Sequence, residues 1–310
     1  MNPAVIFLLI WFFLMGCGNQ PGSDAMMDMD KLKSLLEAKI QDSGAEVGLA
    51  FKDLETGRTI LINADRMMHA ASTMKVPVMI EVFKQAGENK FSLGDSLLVK
   101  NEFRSIVDDS LYSMDLGEDS DESLYELIGG KSTIRQLMFQ MITVSSNLAT
   151  NILIDLVDAK RVMATLAEFG INQMQVLRGV EDLKAYEQGL NNRTDAKDMM
   201  IVMEAIATNA AGNPQACSDM IDILSAQKFR DKIPVGIPGS IRVANKTGSI
   251  TKIDHDAAIV FPAGRKPYVL VILTRGIEQH EAAYELIAQL SKMIYQAIVG
   301  EPTDGFSSSS

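Results

Sequence analysis

A serine and a lysine lie three residues apart in a mostly apolar stretch, HAASTMKVPVM at 69–79. At that spacing Ser72 and Lys75 share one face of a helix. A serine hydroxyl is a poor nucleophile at neutral pH until a neighbouring base accepts its proton, and a desolvated lysine with a lowered pKa can be that base. The pair therefore predicts a serine nucleophile that a lysine activates.

The S-x-x-K spacing alone does not single out this pair, because the chain contains it three times. The other two pairs are Ser225 with Lys228 and Ser249 with Lys252. The first pair is the only one that precedes both a Ser-x-Asn and a Lys-Thr-Gly sequence, and each of those occurs once. The order of the motifs therefore favours Ser72 as the nucleophile.

The two later motifs supply residue types that an acyl-transfer reaction needs. The first is Ser-Ser-Asn at 145–147 and the second is Lys-Thr-Gly at 246–248. Lys246 on a strand edge offers a second cation and, with Thr247, donors for a substrate carboxylate, while Gly248 permits close approach to the strand backbone. The amide of Ser72 at a helix start can help to hold an oxyanion, and one such donor is typically worth about 10²–10³ in rate.

Composition excludes several other functions. The chain has 310 residues, 47% of them hydrophobic, and a formal net charge of -11. This charge argues against a nucleic-acid partner, which requires a basic footprint. The three histidines and two cysteines have no paired spacing for a metal, and no G-x-G-x-x-G occurs, so we expect no cofactor. The stretch LYELIGGKST imitates a phosphate loop, but Tyr125 stands where its first glycine must be.

The elements that would position these residues can be outlined from their patterns. DKLKSLLEAKIQDSG predicts an amphipathic helix with Leu32, Leu35, Leu36 and Ile40 on one face. EVGLAFKDLETGRTILINADR predicts two strands that turn at 55–57, and RVANKTGSI, DAAIVFP and YVLVILTRG predict three more before a closing helix. We therefore expect an α/β protein of the α+β type, in which an antiparallel sheet built from both termini is flanked by helices and carries an inserted, mainly helical lobe.

The predicted organisation places one catalytic domain at 30–300. Its sheet lobe comprises about 30–88 and 227–300, and its helical lobe about 89–226, with a tail at 301–310. Within the helical lobe, the segment 105–130 has eight acidic side chains and no lysine or arginine. Such a run predicts a solvated loop. The groove between the two lobes is the expected place for a site.

The N-terminus predicts export. An uncharged apolar run from Ala4 to Met15 is too short for a comfortable membrane span and is typical of a signal peptide. The letters LMGC resemble a bacterial lipoprotein box, which implies a signal at 1–17, a lipidated Cys17 and a tether at 18–29. A plain signal peptide or a short anchor is the alternative. We expect a periplasmic or cell-envelope lipoprotein that meets the membrane only through this anchor, with Cys217 left unpaired.

The ordered motifs resemble those of class A β-lactamase-type serine hydrolases, whose superfamily also contains the D-alanyl-D-alanine peptidases. The similarity runs from about Asp30 to Val299 and includes MITVSSNLATN, IPVGIPGSIRVANKTGSI and HDAAIVFPAGRKPYVLVILTRG. The resemblance implies an acyl-enzyme on Ser72 with Lys75 as the base and Ser145 as the proton shuttle.

The same resemblance implies how the substrate is held. Asn147 would bind the substrate amide, and Lys246 with Thr247 would bind its carboxylate. The strand after Gly248 would add an oxyanion N–H near Ser249. The implied partner is a small molecule, a β-lactam or a D-Ala-D-Ala-like peptide, and we expect a monomer.

Two departures from the family pattern affect the mechanism. Ser146 stands where the family has aspartate, so a shorter side chain must hold that loop. The deacylating glutamate, which in the family lies on an omega-type loop, has two candidates. Glu181 leaves a long loop before Thr194, whereas Glu187 matches the local pattern E-x-x-L-N. Loop length favours Glu181, although both could be surface residues.

Three functions remain open on the sequence. The first is β-lactam hydrolysis, which the resemblance favours. The second is a D-alanyl-D-alanine peptidase or esterase on the same scaffold, since fold and acylation do not fix the substrate. The third is a lipoprotein that binds β-lactams without turnover.

Overall fold

The structure, a computed structural model, describes residues 28–300. The predicted signal peptide, Cys17, most of the tether and the tail at 301–310 lie outside the described residues. Within them, no helix is both long and apolar enough to cross a membrane.

The secondary structure alternates short strands and helices around one large sheet. The helices are α1 (Met29–Ser43), α2 (Lys75–Gly87), α3 (Ile134–Thr143), α4 (Asn147–Val157), α5 (Ala159–Glu168), α6 (Leu183–Glu187), α7 (Ala196–Ala207), α8 (Pro214–Ser225) and α9 (His280–Val299). The strands are β1 (Glu46–Asp53), β2 (Thr59–Ile62), β3 (Met68–His69), β4 (Ser96–Leu98), β5 (Phe103–Arg104), β6 (Leu111–Tyr112), β7 (Lys131–Thr133), β8 (Arg193–Thr194), β9 (Arg242–Ile250), β10 (Ile253–Phe261) and β11 (Tyr268–Arg275).

The large sheet confirms the predicted α+β fold. Its strand order is β2-β1-β11-β10-β9, and every neighbouring pair is antiparallel. The first two strands come from the N-terminal part of the domain and the last three from its C-terminal part. The chain between β2 and β9 is therefore an insertion into the sheet. Its helices pack in the core of the helical lobe, whereas the segment that contains Ile233 and Ile237 packs in the core with α1 and α9.

The sheet is buried on both faces, which explains the nearly continuous apolar sequence of its central strands. Side chains alternate between the faces. Leu270 and Ile272 of β11 belong to a core with α1 and α9. Val269 and Val271 belong to the larger core with the helical lobe. The sheet thus separates two hydrophobic cores and holds the strand that carries the Lys-Thr-Gly motif.

Helix α1 matches its predicted amphipathic pattern except at one position. Leu32, Leu36 and Ile40 are buried against the sheet lobe, but Leu35 is 41% exposed. At about 100° per residue, Leu35 lies at the edge of the stripe formed by the other three. The helix ends at Gly44, whose φ of 66° is the left-handed conformation that glycine adopts at a helix C-terminus.

The helical lobe contains more order than its sequence predicts. Three two-stranded pairs occur there or at its border, β3 with β8, β4 with β7 and β5 with β6. The prediction that segment 105–130 is a solvated loop holds for most of its residues, which are exposed, but Ser105, Met114, Asp119, Asp121 and Leu124 are buried. A run of acidic residues stays in solvent unless another segment offers hydrogen-bond donors to its carboxylates. Here the backbone N–H groups at the start of α4 donate to Asp119.

Candidate active site

Ser72 lies in a tight turn that leads directly into α2. The turn is a 3-10 helix, Ala71–Met74, and the α-helix begins at Lys75. Ala71 has a φ of 45°, and its N–H donates to His69 Nδ1 at 3.0 Å. Ser72 itself is half-buried and lines a cleft, so its hydroxyl is accessible to a ligand. The predicted helix start is therefore a 3-10 turn, which keeps the same three-residue spacing.

Strand β9 packs against this turn, and a glycine makes the contact possible. A Cβ atom on Gly248 would lie 2.9 Å from the backbone nitrogen of Ser72 and 3.0 Å from the Cβ of Ala71. No side chain fits there without displacing backbone. Thr247 lines the same cleft as the serine, and Lys246 is buried beside it in the strand.

Ser145 lies between two buried amines. Its Oγ is 3.2 Å from Lys75 Nζ and 3.0 Å from Lys246 Nζ. Ser145 has a φ of 61°, in the loop between α3 and α4. Lys75 Nζ also donates to Ser145 O at 2.6 Å and to Asn147 Oδ1 at 2.9 Å. The structure therefore brings together residues from all three sequence motifs.

Burial shifts the titration of both lysines. Desolvation lowers the pKa of Lys75 to about 7, although the charges of Asp119 and Glu181 oppose the shift. Desolvation, followed by the charges of Lys75 and Lys232, lowers the pKa of Lys246 well below its usual range. An amine that is neutral near pH 7 can accept a proton, which is the property that a serine nucleophile requires of its neighbour.

The loop before α4 is held by two residues rather than one. Ser146 is the N-cap of the helix, and its Oγ accepts a hydrogen bond from Ala149 N at 3.3 Å. The carboxylate of Asp119 accepts from the backbone N–H groups of Asn147 and Leu148. No sequence pattern singled out Asp119, which stood among eight acidic residues.

Glu181 lies within the site, on the segment between α5 and α6. Its Oε1 accepts from Asn147 Nδ2 at 3.0 Å and its Oε2 from Asp115 N at 3.0 Å. Burial raises the pKa of Glu181, while these hydrogen bonds act in the opposite direction. Asn151 of α4 holds the preceding residue Val180 by two hydrogen bonds, 2.7 Å to its N–H and 3.0 Å to its oxygen.

Glu187 is placed elsewhere. It is the last residue of α6 and is exposed. The other residues of its E-x-x-L-N pattern serve the loop itself, because Arg178 donates to Leu190 O at 2.9 Å and to Asn191 Oδ1 at 3.1 Å. The residues that match the E-x-x-L-N pattern therefore stabilise the loop and do not reach the site. The carboxylate of Glu181, in contrast, contacts Asn147.

A third buried lysine, which the sequence analysis missed, lies at the other end of the cleft. Lys232 Nζ donates to Ser249 Oγ at 2.7 Å, lies 3.5 Å from Asp254 Oδ1 and stands 4.5 Å from the centre of the Tyr284 ring. Its only sequence signal is its position shortly before β9.

Two cavities meet at the serine. One of about 230 Å³ extends from it towards Lys232 and Tyr284. The other, of about 610 Å³, extends towards Glu181 and the segment before α6. Both are lined by Ser72, Asn147 and Ser249. Among residues 28–300, no group of three or more histidine, cysteine or acidic side chains is arranged to hold a metal ion. The cleft can thus take a small molecule across the nucleophile.

Comparison with known proteins identifies the relatives of this chain. A family profile described as "Beta-lactamase enzyme family" matches residues 29–298. A β-lactamase of Streptomyces albus G is 24% identical over 91% of this chain and 88% of its own length. A β-lactamase structure from Sphaerobacter thermophilus has a TM-score of 0.74 at 23% identity, covering 89% of this chain and all of that one. The structure of PBP-A has a TM-score of 0.75 at 23% identity, and the match covers 87% of this chain and 97% of that one. The two structural likenesses show a common fold.

Proposed function

Since the chain belongs to the beta-lactamase enzyme family, we propose that it hydrolyses the amide of β-lactam antibiotics through an acyl-enzyme on Ser72. The observation that carries this proposal is the hydroxyl of Ser145 between two amines, 3.2 Å from Lys75 Nζ and 3.0 Å from Lys246 Nζ. This arrangement provides a base on the nucleophile's side and a route for a proton towards a leaving nitrogen.

Acylation begins with proton transfer from Ser72 Oγ to the neutral amine of Lys75. The serine oxygen then bonds to the lactam carbonyl carbon, and the amides of Ser72 and Ser249 receive the charge that develops on the carbonyl oxygen. When the carbon–nitrogen bond breaks, Ser145 passes a proton to the leaving nitrogen and takes one back from a lysine. The product is an ester on Ser72 with the lactam ring opened.

Substrate binding uses the remaining motif residues. The side chain of Asn147, which already bridges Lys75 and Glu181, holds the substrate amide. Lys246 and Thr247 bind the substrate carboxylate. The arriving anion raises the pKa of Lys246 again, because an opposite charge nearby favours the ammonium form. Lys232 adds positive charge at the same end of the cleft.

Deacylation needs a water molecule and a base. We assign this step to Glu181, because its carboxylate contacts Asn147 and lines the same cavity as Ser72, and burial raises its pKa. It accepts a proton as the water oxygen attacks the ester carbon, and the serine oxygen leaves and regains a proton. A general base supports turnover rather than a stable adduct, and this carboxylate is therefore the reason for proposing hydrolysis rather than binding alone.

Steady-state hydrolysis of a chromogenic cephalosporin, followed by mass spectrometry of the protein, tests the proposal. We expect turnover by the wild type, and neither turnover nor an acyl mass on Ser72→Ala. Ser225→Ala, which changes a serine of another S-x-x-K pair, should still turn over. A stable adduct without turnover would indicate a β-lactam-binding protein. Cleavage of D-Ala-D-Ala peptides without any reaction with β-lactams would indicate a peptidase.

A further inference from the structure

The acidic segment reaches into the site through one carboxylate. Asp119 is 9% exposed and follows a 3-10 turn, Leu116–Glu118. Its oxygens accept from Asn147 N at 2.9 and 3.0 Å and from Leu148 N at 2.9 Å. The hydroxyl of Tyr125 donates to the same carboxylate at 3.1 Å.

These contacts meet a need that the start of α4 creates. The first N–H groups of a helix have no partner within the helix. The side-chain oxygen of Ser146, the N-cap, accepts from Ala149 N, so the amides of Asn147 and Leu148 require an acceptor from elsewhere. A carboxylate at this place forms charge-assisted hydrogen bonds and also interacts favourably with the helix dipole.

The anchored residue connects the whole site. Asn147 Oδ1 accepts from Lys75 Nζ at 2.9 Å, and Asn147 Nδ2 donates to Glu181 Oε1 at 3.0 Å. Ser145, two residues earlier, has a φ of 61°, in the left-handed region that a serine rarely adopts. Contacts from the surrounding structure must therefore hold its backbone in place. A shift of the backbone at 147 would therefore move Ser145 and the side chain of Asn147 together.

We propose that Asp119 is a positioning residue for acylation: from a distant segment it anchors the loop 145–147, in which Ser146 stands in place of the aspartate of the S-D-N pattern. The catalytic part of this inference rests on the proposed function. The same segment also holds Glu181, since Asp115 N donates to Glu181 Oε2 at 3.0 Å. Residues 115–119 thus connect the loop before α4 to the second carboxylate of the site.

The test compares acylation by a fluorescent penicillin in three variants. Asp119→Asn should lower the second-order acylation constant by about 10- to 100-fold, because hydrogen bonds to charged acceptors are lost. Asp121→Asn is the matched control, since the Asp121 side chain is buried in the same segment but accepts from Ser123 of that segment. The backbone N–H of Asp121 donates to Asp119 Oδ1 at 3.2 Å, and the side-chain change leaves that contact in place. The acylation constant of Asp121→Asn should remain within about twofold of that of the wild type. The double variant Asp119→Asn, Ser146→Asp should recover most of the loss.

A pH profile separates positioning from mere stability. The Asp119 charge favours the ammonium form of Lys75, which also faces Glu181 and shares Ser145 with Lys246. Removing that charge should move the rising limb of acylation to lower pH. A slower variant with an unchanged midpoint and no recovery by Ser146→Asp would overturn the inference, as would wild-type acylation by Asp119→Asn.

A substrate-free measurement keeps the inference distinct from the proposed function. Hydrogen exchange of the Asn147 and Leu148 amides should be at least about tenfold faster in Asp119→Asn than in Asp121→Asn. If no β-lactam acylates the wild type, the proposed function fails. The exchange rate then still shows whether Asp119 anchors the backbone at 147–148. If Asp119→Asn does not fold, Tyr125→Phe, which removes one donor to the same carboxylate, should slow acylation a few-fold, and no change would contradict the role.

Discussion

At the scale of single residues, the site concentrates charge where water is excluded. Lys75, Lys232 and Lys246 are each at most 1% exposed. Burying a cation costs several kcal/mol unless it is paired or neutral, so such a cluster is retained at a cost in stability. The shared hydroxyl of Ser145 gives two of these amines a common hydrogen-bond partner. The reactivity of the site follows from the same burial, because it makes at least one amine neutral near pH 7.

The acylation rate should therefore depend on pH in one direction. Burial lowers the pKa of Lys75 to about 7. Below that pH the amine is protonated and cannot accept the proton of Ser72, whereas above it the neutral base predominates. We expect the acylation constant of the wild type to rise with pH and to level off above a midpoint near 7, as measured by stopped-flow labelling. A rate that does not change between pH 5.5 and 8.5 would contradict the role of Lys75.

The two glutamates near α6 should differ sharply in deacylation. Glu181→Gln should keep acylation fast and slow deacylation by about 10²–10⁴, because general-base assistance is typically worth that much. Glu187→Gln is its matched control, since Glu187 is exposed and should change turnover little. Mass spectrometry during turnover should show the adduct accumulating in the first variant alone. Accumulation in Glu187→Gln instead would assign the water step to the E-x-x-L-N residue.

At the scale of elements, close backbone contacts set the geometry of the cleft. Gly248 brings β9 against the Ser72 turn. A second contact joins the 3-10 turn Ile233–Gly236 to α9, where a Cβ on Gly236 would lie 2.3 Å from the oxygen of Ala288. This turn follows Lys232 directly, so its packing also fixes the direction of that side chain.

Gly236→Ala should therefore destabilise the protein and weaken its activity. The added methyl would also lie 2.6 Å from Lys292 N, and backbone atoms cannot move aside as a flexible side chain can. We expect a loss of about 1–3 kcal/mol in the free energy of unfolding by urea, as for overpacked sites. Gly239→Ala is the matched control, because a Cβ there meets no atom within 4 Å. Equal stability of the two variants would show that the turn and α9 separate easily.

At the scale of the whole molecule, one sheet serves two cores. One of its faces packs on α1 and α9, and its other face packs on the inserted helical lobe. The cleft lies where the inserted lobe meets the edge strand β9, so the nucleophile and Ser145 come from the insertion and Lys246 from the sheet. The site therefore depends on the docking of the two lobes rather than on either lobe alone.

Attachment of the whole chain to a membrane is a proposal that rests on the sequence. The apolar run from Ala4 to Met15 and the following Cys17 lie outside the described residues. We expect the expressed full chain to fractionate with membranes, and Cys17→Ser to leave an unlipidated precursor of unprocessed length, as determined by mass spectrometry. A freely soluble product of Cys17→Ser with normal cleavage would indicate an ordinary signal peptide instead.

The sequence by itself determined the class of fold and the chemical types at the site. Alternating and helical periodicities identified the strands at both ends of the domain, and β9 has the bounds of the predicted run RVANKTGSI. The order of three short motifs brought Ser72, Lys75, Ser145, Asn147 and Lys246 into one hypothesis. Such signals lie within short windows of the chain, so they can be seen before the chain is folded.

The tertiary structure alone decided which other residues meet them. Asp119 reaches Asn147 across 28 positions, and Lys232 reaches Ser249 across 17. Neither has a pattern of its own, because a carboxylate in an acidic run and a lysine before a strand look like ordinary surface residues. Glu181 and Glu187 were likewise separated only by folding, which buried one carboxylate against Asn147 and left the other in solvent. Contacts between distant segments depend on how the lobes pack, and no local spacing encodes that packing.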